Sequence, residues 1–319
     1  MARLFKAKAL LLSFGLLLSL ILSACGTATT TGTPPSNTPG AAPKGTIVVA
    51  SKLDTEGQLL AEMYSLLLQK AGYTVNTKLA LGNSLIISQA IKGGSIDLYP
   101  EFTATGLNQL SIASQHDPAK DYQAVKAAYE QQFHITWLDY SPLNDGYAIC
   151  TSKAEAAKLG NITNISQLAP LVKNLSLASP SDGISFIDGL KSVYGFDTKS
   201  FKSLDKVDYA IGFKAVTSGQ AQAVVCYTTD GSVTQQNFVF LTDDKTGFPE
   251  FHPAPIVRDA ILTKDPDVAT ILNPLAPDLT TQVSIDLQSQ VATLTKGGAS
   301  SSAAIKTVAT TFLTSKGLL

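Results

Sequence analysis

Gly94-Ser95-Ile96-Asp97-Leu98-Tyr99-Pro100-Glu101-Phe102-Thr103-Ala104-Thr105-Gly106 places a helix stop, a short apolar strand, an aromatic and two threonines in that order. Gly93-Gly94 ends a helix, because glycine takes the left-handed conformation at little cost. Ile96, Leu98 and their neighbours read as a buried strand. Pro100, which has no N–H for a ladder, reads as its stop. Phe102 and the threonines then fall just past the strand's carboxyl end, the edge at which open α/β sheets bind ligands. Gly219-Gln220-Ala221-Gln222-Ala223-Val224-Val225-Cys226-Tyr227-Thr228-Thr229-Asp230-Gly231 repeats the layout, and eight residues separate Gly94 from Phe102 as they separate Gly219 from Tyr227. Two such units point to two lobes that each deliver an aromatic-Thr pair to one cleft. The plainer alternative is coincidence, since glycine before an apolar strand is common.

The flanking sequence keeps the same rhythm. Residues 46–51 are an apolar run that reads as a first strand. Thr55-Glu56-Gly57-Gln58 fits a capping box with Thr55 at the N-cap. Leu59, Leu60, Met63, Leu66 and Leu67 follow at helical spacing, and Gly72 closes that helix. Asn83 or Ser84 caps a short helix over 85–92. Further strands are expected over 74–79, 135–138, 147–150, 175–178, 238–241 and 256–262. Helices are expected over 121–133, 153–159, 166–173, 185–194, 209–217, 268–272, 281–293 and 302–315. Strands alternating with helices predict an α/β fold with mostly parallel sheets.

The first residues read as a targeting segment. Arg3, Lys6 and Lys8 form a positive region, and residues 9–22 form an apolar stretch of 14, short for a membrane span. It ends in Leu22-Ser23-Ala24-Cys25-Gly26, small residues before a cysteine, which resembles a bacterial lipobox. That likeness implies lipidation of Cys25 after removal of residues 1–24. The alternative is an ordinary signal peptide with an incidental cysteine. Residues 25–45 are rich in Thr, Pro, Gly and Ala and read as a flexible tether. An anchor followed by a tether places the folded part outside the cytoplasm, held at the cell membrane.

Over 319 residues, 45% are apolar and 15% charged, which fits one large or two ordinary packed domains. Arg3 and Arg258 are the only arginines, and no basic run lies beyond the extreme N-terminus, which argues against nucleic-acid binding. Removing Arg3, Lys6 and Lys8 with the leader leaves 21 basic residues against 25 acidic ones, net −4. Cys150 and Cys226 are free to form a disulfide in an exported protein. In strands, each would face away from its neighbouring tyrosine, Tyr147 or Tyr227, so both thiols fall behind the same sheet. Two buried free thiols are the simpler expectation, with the disulfide open.

His116, His134 and His252 lack metal-ligand spacing, and neither a nucleophile elbow nor a phosphate loop is present. Glu101 beside the expected cleft has no evident catalytic partner. The reading is therefore a recognition site, not an enzyme, with no cofactor.

Ala50-Ser51-Lys52-Leu53-Asp54-Thr55-Glu56-Gly57, Leu81-Gly82, Ile96-Asp97-Leu98-Tyr99-Pro100-Glu101-Phe102-Thr103, Tyr227-Thr228-Thr229-Asp230-Gly231 and Ala254-Pro255-Ile256-Val257-Arg258 together resemble the substrate-binding proteins of osmoprotectant ABC importers. The likeness runs from residue 46 to the C-terminus. It implies a type II periplasmic-binding-protein fold, two α/β lobes joined by two crossing segments around a ligand cleft. Lobe one is expected over 46–143 plus 251–319, and lobe two over 144–250. It also implies a monomer that hands a quaternary ammonium solute, such as glycine betaine or choline, to an ABC permease. A binder of another small solute on the same fold, or a sensor without a transport partner, are the competing readings.

Matched block by block, the family's aromatic cage falls on Phe102, Tyr147, Tyr227 and Phe251. A quaternary ammonium has no N–H to donate, and ring faces offer it negative potential and apolar contact together. Asp145 matches an acidic position beside the cation; otherwise it shapes the Asn144-Asp145-Gly146 turn. Lys52 and Thr105 match positions that hold a ligand carboxylate, though Lys52 also fits a solvated strand end. The family's usual arginine is missing from Ser179-Pro180-Ser181-Asp182-Gly183-Ile184-Ser185-Phe186-Ile187. Losing that bidentate partner weakens carboxylate recognition and leaves choline or a bulkier cation open.

Overall fold

The strand of the opening stretch runs Leu98–Phe102 and takes Pro100 in its middle. In the computed structural model, which describes residues 44–231, 233 and 236–319, this strand lies inside a five-stranded sheet. Pro100 faces Pro255 across an antiparallel ladder, so neither side of that position asks for an N–H. On its other side the pairing is parallel and ends at Val49 opposite Leu98, before the proline. Pro100 therefore interrupts nothing, which corrects the expectation that it stops the strand. The signal-peptide and Cys25 readings lie outside the described residues. Lys44 and Gly45 are tied down: Lys44 pairs with Asp267, and Thr74 N donates to Gly45 O at 3.2 Å.

In chain order the strands are β1 (Thr46–Ala50), β2 (Thr74–Lys78), β3 (Leu98–Phe102), β4 (Ile135–Trp137), β5 (Tyr147–Ser152), β6 (Ser176–Ser179), β7 (Ser203–Lys206), β8 (Ala223–Tyr227), β9 (Phe238–Leu241) and β10 (Pro253–Arg258). They form two sheets, ordered β2-β1-β3-β10-β4 and β7-β6-β8-β5-β9. The chain builds four strands of the first sheet and then crosses. It builds the whole second sheet, crosses back, and inserts β10 into the first. The result is a mixed α/β fold of two lobes joined by two crossings.

The sheets are not mostly parallel. β10 runs antiparallel to both β3 and β4, and β5 runs antiparallel to both β8 and β9. A strand entering a sheet straight from a crossing needs no return helix, so it joins in the opposite sense. β10 starts at Pro253 and gives way to the helix Asp259–Lys264, where a strand to residue 262 was expected.

Helix Thr55–Lys70 buries Leu59, Leu60, Met63, Leu67 and Leu68 against the first sheet, at about 1.5–3 kcal/mol for each large side chain. Its N-cap is Asp54, not Thr55: Asp54 accepts from Gly57 N at 2.5 Å, and the Gln58 amide turns back to Leu53 O. Asn83 caps helix Ser84–Lys92. Cys150 and Cys226 sit on adjacent strands, diagonal across the β5–β8 ladder, on the face opposite Tyr147 and Tyr227. They are joined in a disulfide with Cα atoms 5.9 Å apart, which overturns the two-thiol expectation. That separation lies inside the range of Cα distances a disulfide spans.

The two lobes touch. Ser84 donates from both N and Oγ to Asp182 Oδ2, at 3.2 and 2.8 Å. Asn108 Nδ2 donates to Ser185 Oγ at 2.9 Å, and Gln288 Nε2 donates to Thr229 O at 3.3 Å. The crossings also bind each other: Asp145 N donates to Phe251 O at 3.0 Å, and Phe251 N to Asn144 Oδ1 at 2.8 Å.

Candidate functional site

Those last two bonds fix the position of the site. Asp145 lies on the first crossing and Phe251 on the second, each held by the other's backbone. Two residues after Asp145, β5 begins with Tyr147. Opposite Tyr147 in the ladder stands Tyr227, the last residue of β8. Side chains at directly opposed positions share a face, so the register alone brings these two rings together. Their centroids are 5.2 Å apart, and Phe251 meets Tyr147 edge-on at 5.2 Å.

Sequence reasoning missed a further ring. Phe186, on the helix Ile184–Gly189, stacks on Tyr147 at 5.0 Å and meets Phe251 at 4.8 Å. It lies in the stretch searched for an arginine. Gly183 permits the approach: a Cβ there would sit 2.9 Å from Val225 and 3.3 Å from the Tyr147 ring. Tyr209 backs the cluster, tilted against Tyr227 with ring centroids 4.6 Å apart and donating from its hydroxyl to Asp230 at 2.8 Å. Phe102 stands apart, and among the described residues no ring pair includes it. Its face is turned to Lys52, whose Nζ is 5.0 Å from the ring centroid.

Lys52 is committed elsewhere. It pairs with the fully buried Glu101. Glu101 also accepts from Phe102 N at 2.8 Å, from the Tyr99 hydroxyl at 2.7 Å and from Gln109 at 3.3 Å. Thr105 sits partly buried on helix Thr103–Gln109, and no hydrogen bond of its hydroxyl is found among the described residues.

Carboxylates surround the rings instead. Asp145 accepts from the Thr229 hydroxyl at 2.5 Å. Burial pushes its carboxyl up to about 7, Asp54 adds to the rise, and Thr229 and Lys52 hold it back in part. Glu56 is buried, and burial together with Asp145 and Asp54 pushes its carboxyl well above the usual range. Its Oε2 accepts from Ser284 and from Gln288 at 3.3 Å, while its Oε1 has no partner. Asp54, Asp145 and Asp182 all lie close enough to raise the Tyr227 hydroxyl, after burial. Such surroundings favour positive charge. Among the described residues no group of three or more His, Cys, Asp or Glu is placed to hold a metal ion.

Residues 45–314 match the family described as the substrate-binding domain of ABC-type glycine betaine transport systems, OpuAC. The ergothioneine transport permease and binding protein EgtU of Helicobacter pylori (strain G27) is 29% identical over 251 residues, 78% of this chain, and the chain spans 45% of that relative's length. The glycine betaine-binding protein YehZ of Escherichia coli (strain K12) is 29% identical over 259 residues, 77% of this chain and 85% of YehZ. The solved structure of apo YehZ from Escherichia coli superposes with a TM-score of 0.60 at 27% identity, over 88% of this chain and all of that one. Members of the matched family are transporter substrate-binding proteins, not enzymes. With two mixed sheets, two crossings and a ring cluster between them, this chain belongs to the OpuAC family of substrate-binding domains of ABC-type transport systems.

Proposed function

We propose that this protein is a lipid-anchored, extracytoplasmic binder of a quaternary ammonium solute, which it delivers to an ABC permease. The observation that carries the reading is the cluster of Tyr147, Tyr227, Phe251 and Phe186, flanked by carboxylates where the lobes meet. Phe102 would complete the cage from the first sheet. Lobe one would comprise residues 46–143 with 251–319, and lobe two residues 144–250. A caged cation needs each ring face within about 6 Å, worth roughly 0.5–2 kcal/mol per ring once desolvated. The rings now pack on one another, so a ligand must part them. Separation of the lobes at the Ser84–Asp182 and Asn108–Ser185 contacts would carry Phe102 away from the lobe-two rings, and side-chain rotation within lobe two would part Tyr147 from Phe186 or Tyr227.

Ligand-induced melting shifts across choline, glycine betaine, carnitine, ergothioneine, proline and glutamate test the reading. At a hundredfold excess over Kd, a true ligand adds about 2.7 kcal/mol to stability. Shifts confined to the quaternary ammonium compounds are expected; a shift with proline or glutamate alone would reassign the site. The anchor rests on Cys25. Cys25→Ala is expected to lose lipid labelling and to leave the membrane fraction, whereas unchanged membrane retention would refute the anchor.

Binding should depend on pH through Asp145. The groups facing it are Asp54, Glu56, Lys52, Tyr147 and Tyr227. Below about 7 the Asp145 carboxyl holds a proton. A cation beside it favours the ionised form, so binding releases that proton and strengthens as pH rises. Choline affinity is expected to climb between pH 5.5 and 8, by at most about tenfold per pH unit, and then level. Asp145→Asn should flatten the curve. A flat profile in the unmodified protein, or one that falls with pH, would contradict this.

A further inference from the structure

We infer that the site is built for a quaternary ammonium alcohol, a net cation whose other end donates a hydrogen bond, and that Asp54 and Asp145, backed by Glu56, exclude zwitterions ending in a carboxylate. The inference rests on the quaternary ammonium reading above and narrows it.

A carboxylate-bearing ligand needs a free cation or several free donors at its acidic end. Of the cations, Lys52 is neutralised by Glu101, and that carboxylate's remaining contacts are filled by Tyr99, Gln109 and Phe102 N. Arg258, the only arginine among the described residues, pairs with Asp97 at 3.2 Å. Of the donors, the Thr229 hydroxyl is already given to Asp145 and the Ser84 hydroxyl to Asp182; the Thr105 hydroxyl, for which no hydrogen bond is found among the described residues, is one donor where a carboxylate needs several. What faces the rings is acceptor-rich. Asp54 holds the helix N-cap with one oxygen, through Gly57 N. Asp145 uses Oδ1 for Thr229. Behind them Glu56 is 3% exposed, and its Oε1 has no partner.

Asp54 and Asp145 bring acceptor oxygens and negative charge to the ring side of the site, and a site lined this way favours a ligand that brings a donor and a positive charge over one that brings a carboxylate. A ligand carboxylate would add a like charge to this group. A hydroxyl supplies the missing donor and leaves the caged ammonium as the only charge. Both requirements are met by one ligand class.

The test compares four probes by calorimetry at pH 8: choline, choline O-methyl ether, glycine betaine and tetramethylammonium. They are titrated into the full chain and into Asp54→Asn/Asp145→Asn. Asparagine is also a good N-cap and can accept from Thr229, so the double variant should fold, which its melting transition checks. In the unmodified protein choline is expected to bind at least tenfold tighter than the ether and than glycine betaine. The double variant should shrink the choline-to-betaine ratio at least tenfold. Glycine betaine binding as tightly as choline, the ether matching choline, or a ratio unchanged in the folded double variant would each overturn the inference while leaving the cage intact. Failure of all four probes to bind would instead remove the quaternary ammonium reading, and the inference with it.

Discussion

Reducing the Cys150–Cys226 bond is expected to lower the unfolding free energy by about 2–4 kcal/mol. The bond joins β5 to β8 across a sequence separation of 76, and it lies on the sheet face turned away from the rings. A closed loop of that length removes much of the freedom of the unfolded chain, and the chain-entropy estimate is about 4.5 kcal/mol, an upper figure for the measured loss. The disulfide face is otherwise a small satellite core of Ala148, Ala178, Phe213, Val224 and Phe238. That core has little apolar area to spare. Urea unfolding with and without reductant, repeated on Cys150→Ala/Cys226→Ala, measures the loss. Choline affinity at 25 °C should change less than threefold, because the rings sit on the other face. A stability change under about 0.5 kcal/mol in both experiments would show that the cross-link carries no weight.

Tyr147→Ala is expected to weaken choline binding by about 1–3 kcal/mol, roughly 5- to 150-fold. Among the described residues Tyr147 is the one ring paired with three others, Phe186, Tyr227 and Phe251. Its removal deletes a cation–π face and lets its neighbours collapse into the gap. Tyr147→Phe keeps the face and should stay within about threefold. Phe133→Ala, in a ring pair with Tyr129 far from this cluster in the fold, should leave affinity unchanged. A folded Tyr147→Ala that binds choline like the unmodified protein would place the ligand elsewhere.

The sequence revealed most where local pattern and tertiary demand agree. Helix Tyr209–Thr217 and strand Phe238–Leu241 fall on their expected bounds, because apolar spacing alone defines them. β7 (Ser203–Lys206) was not anticipated: it is a largely polar edge strand with no fully buried residue and no alternation to read. The antiparallel insertion of β10 is set by the second crossing, which no local pattern encodes. The family resemblance put Tyr147 and Tyr227 in one cage, and the ladder register places them opposite each other. Phe186 was hidden because its stretch was searched for a charged residue. Glu56 was hidden by its place in a capping motif; it is instead buried against Asp145 and Ser284, contacts made across 228 residues of chain in the case of Ser284. Lys52, matched to a carboxylate clamp, is bound to Glu101, a pairing that short motifs do not reveal.

A structure of the choline complex tests the central claim most directly. The quaternary nitrogen is expected within about 6 Å of the ring centroids of Tyr147 and Tyr227 and of at least one of Phe186 and Phe251. Tyr147 should then stand clear of at least one of the three rings it now touches. Choline bound away from these rings, with Tyr147 still stacked on Phe186 and edge-on to Phe251, would contradict the assignment of the cage.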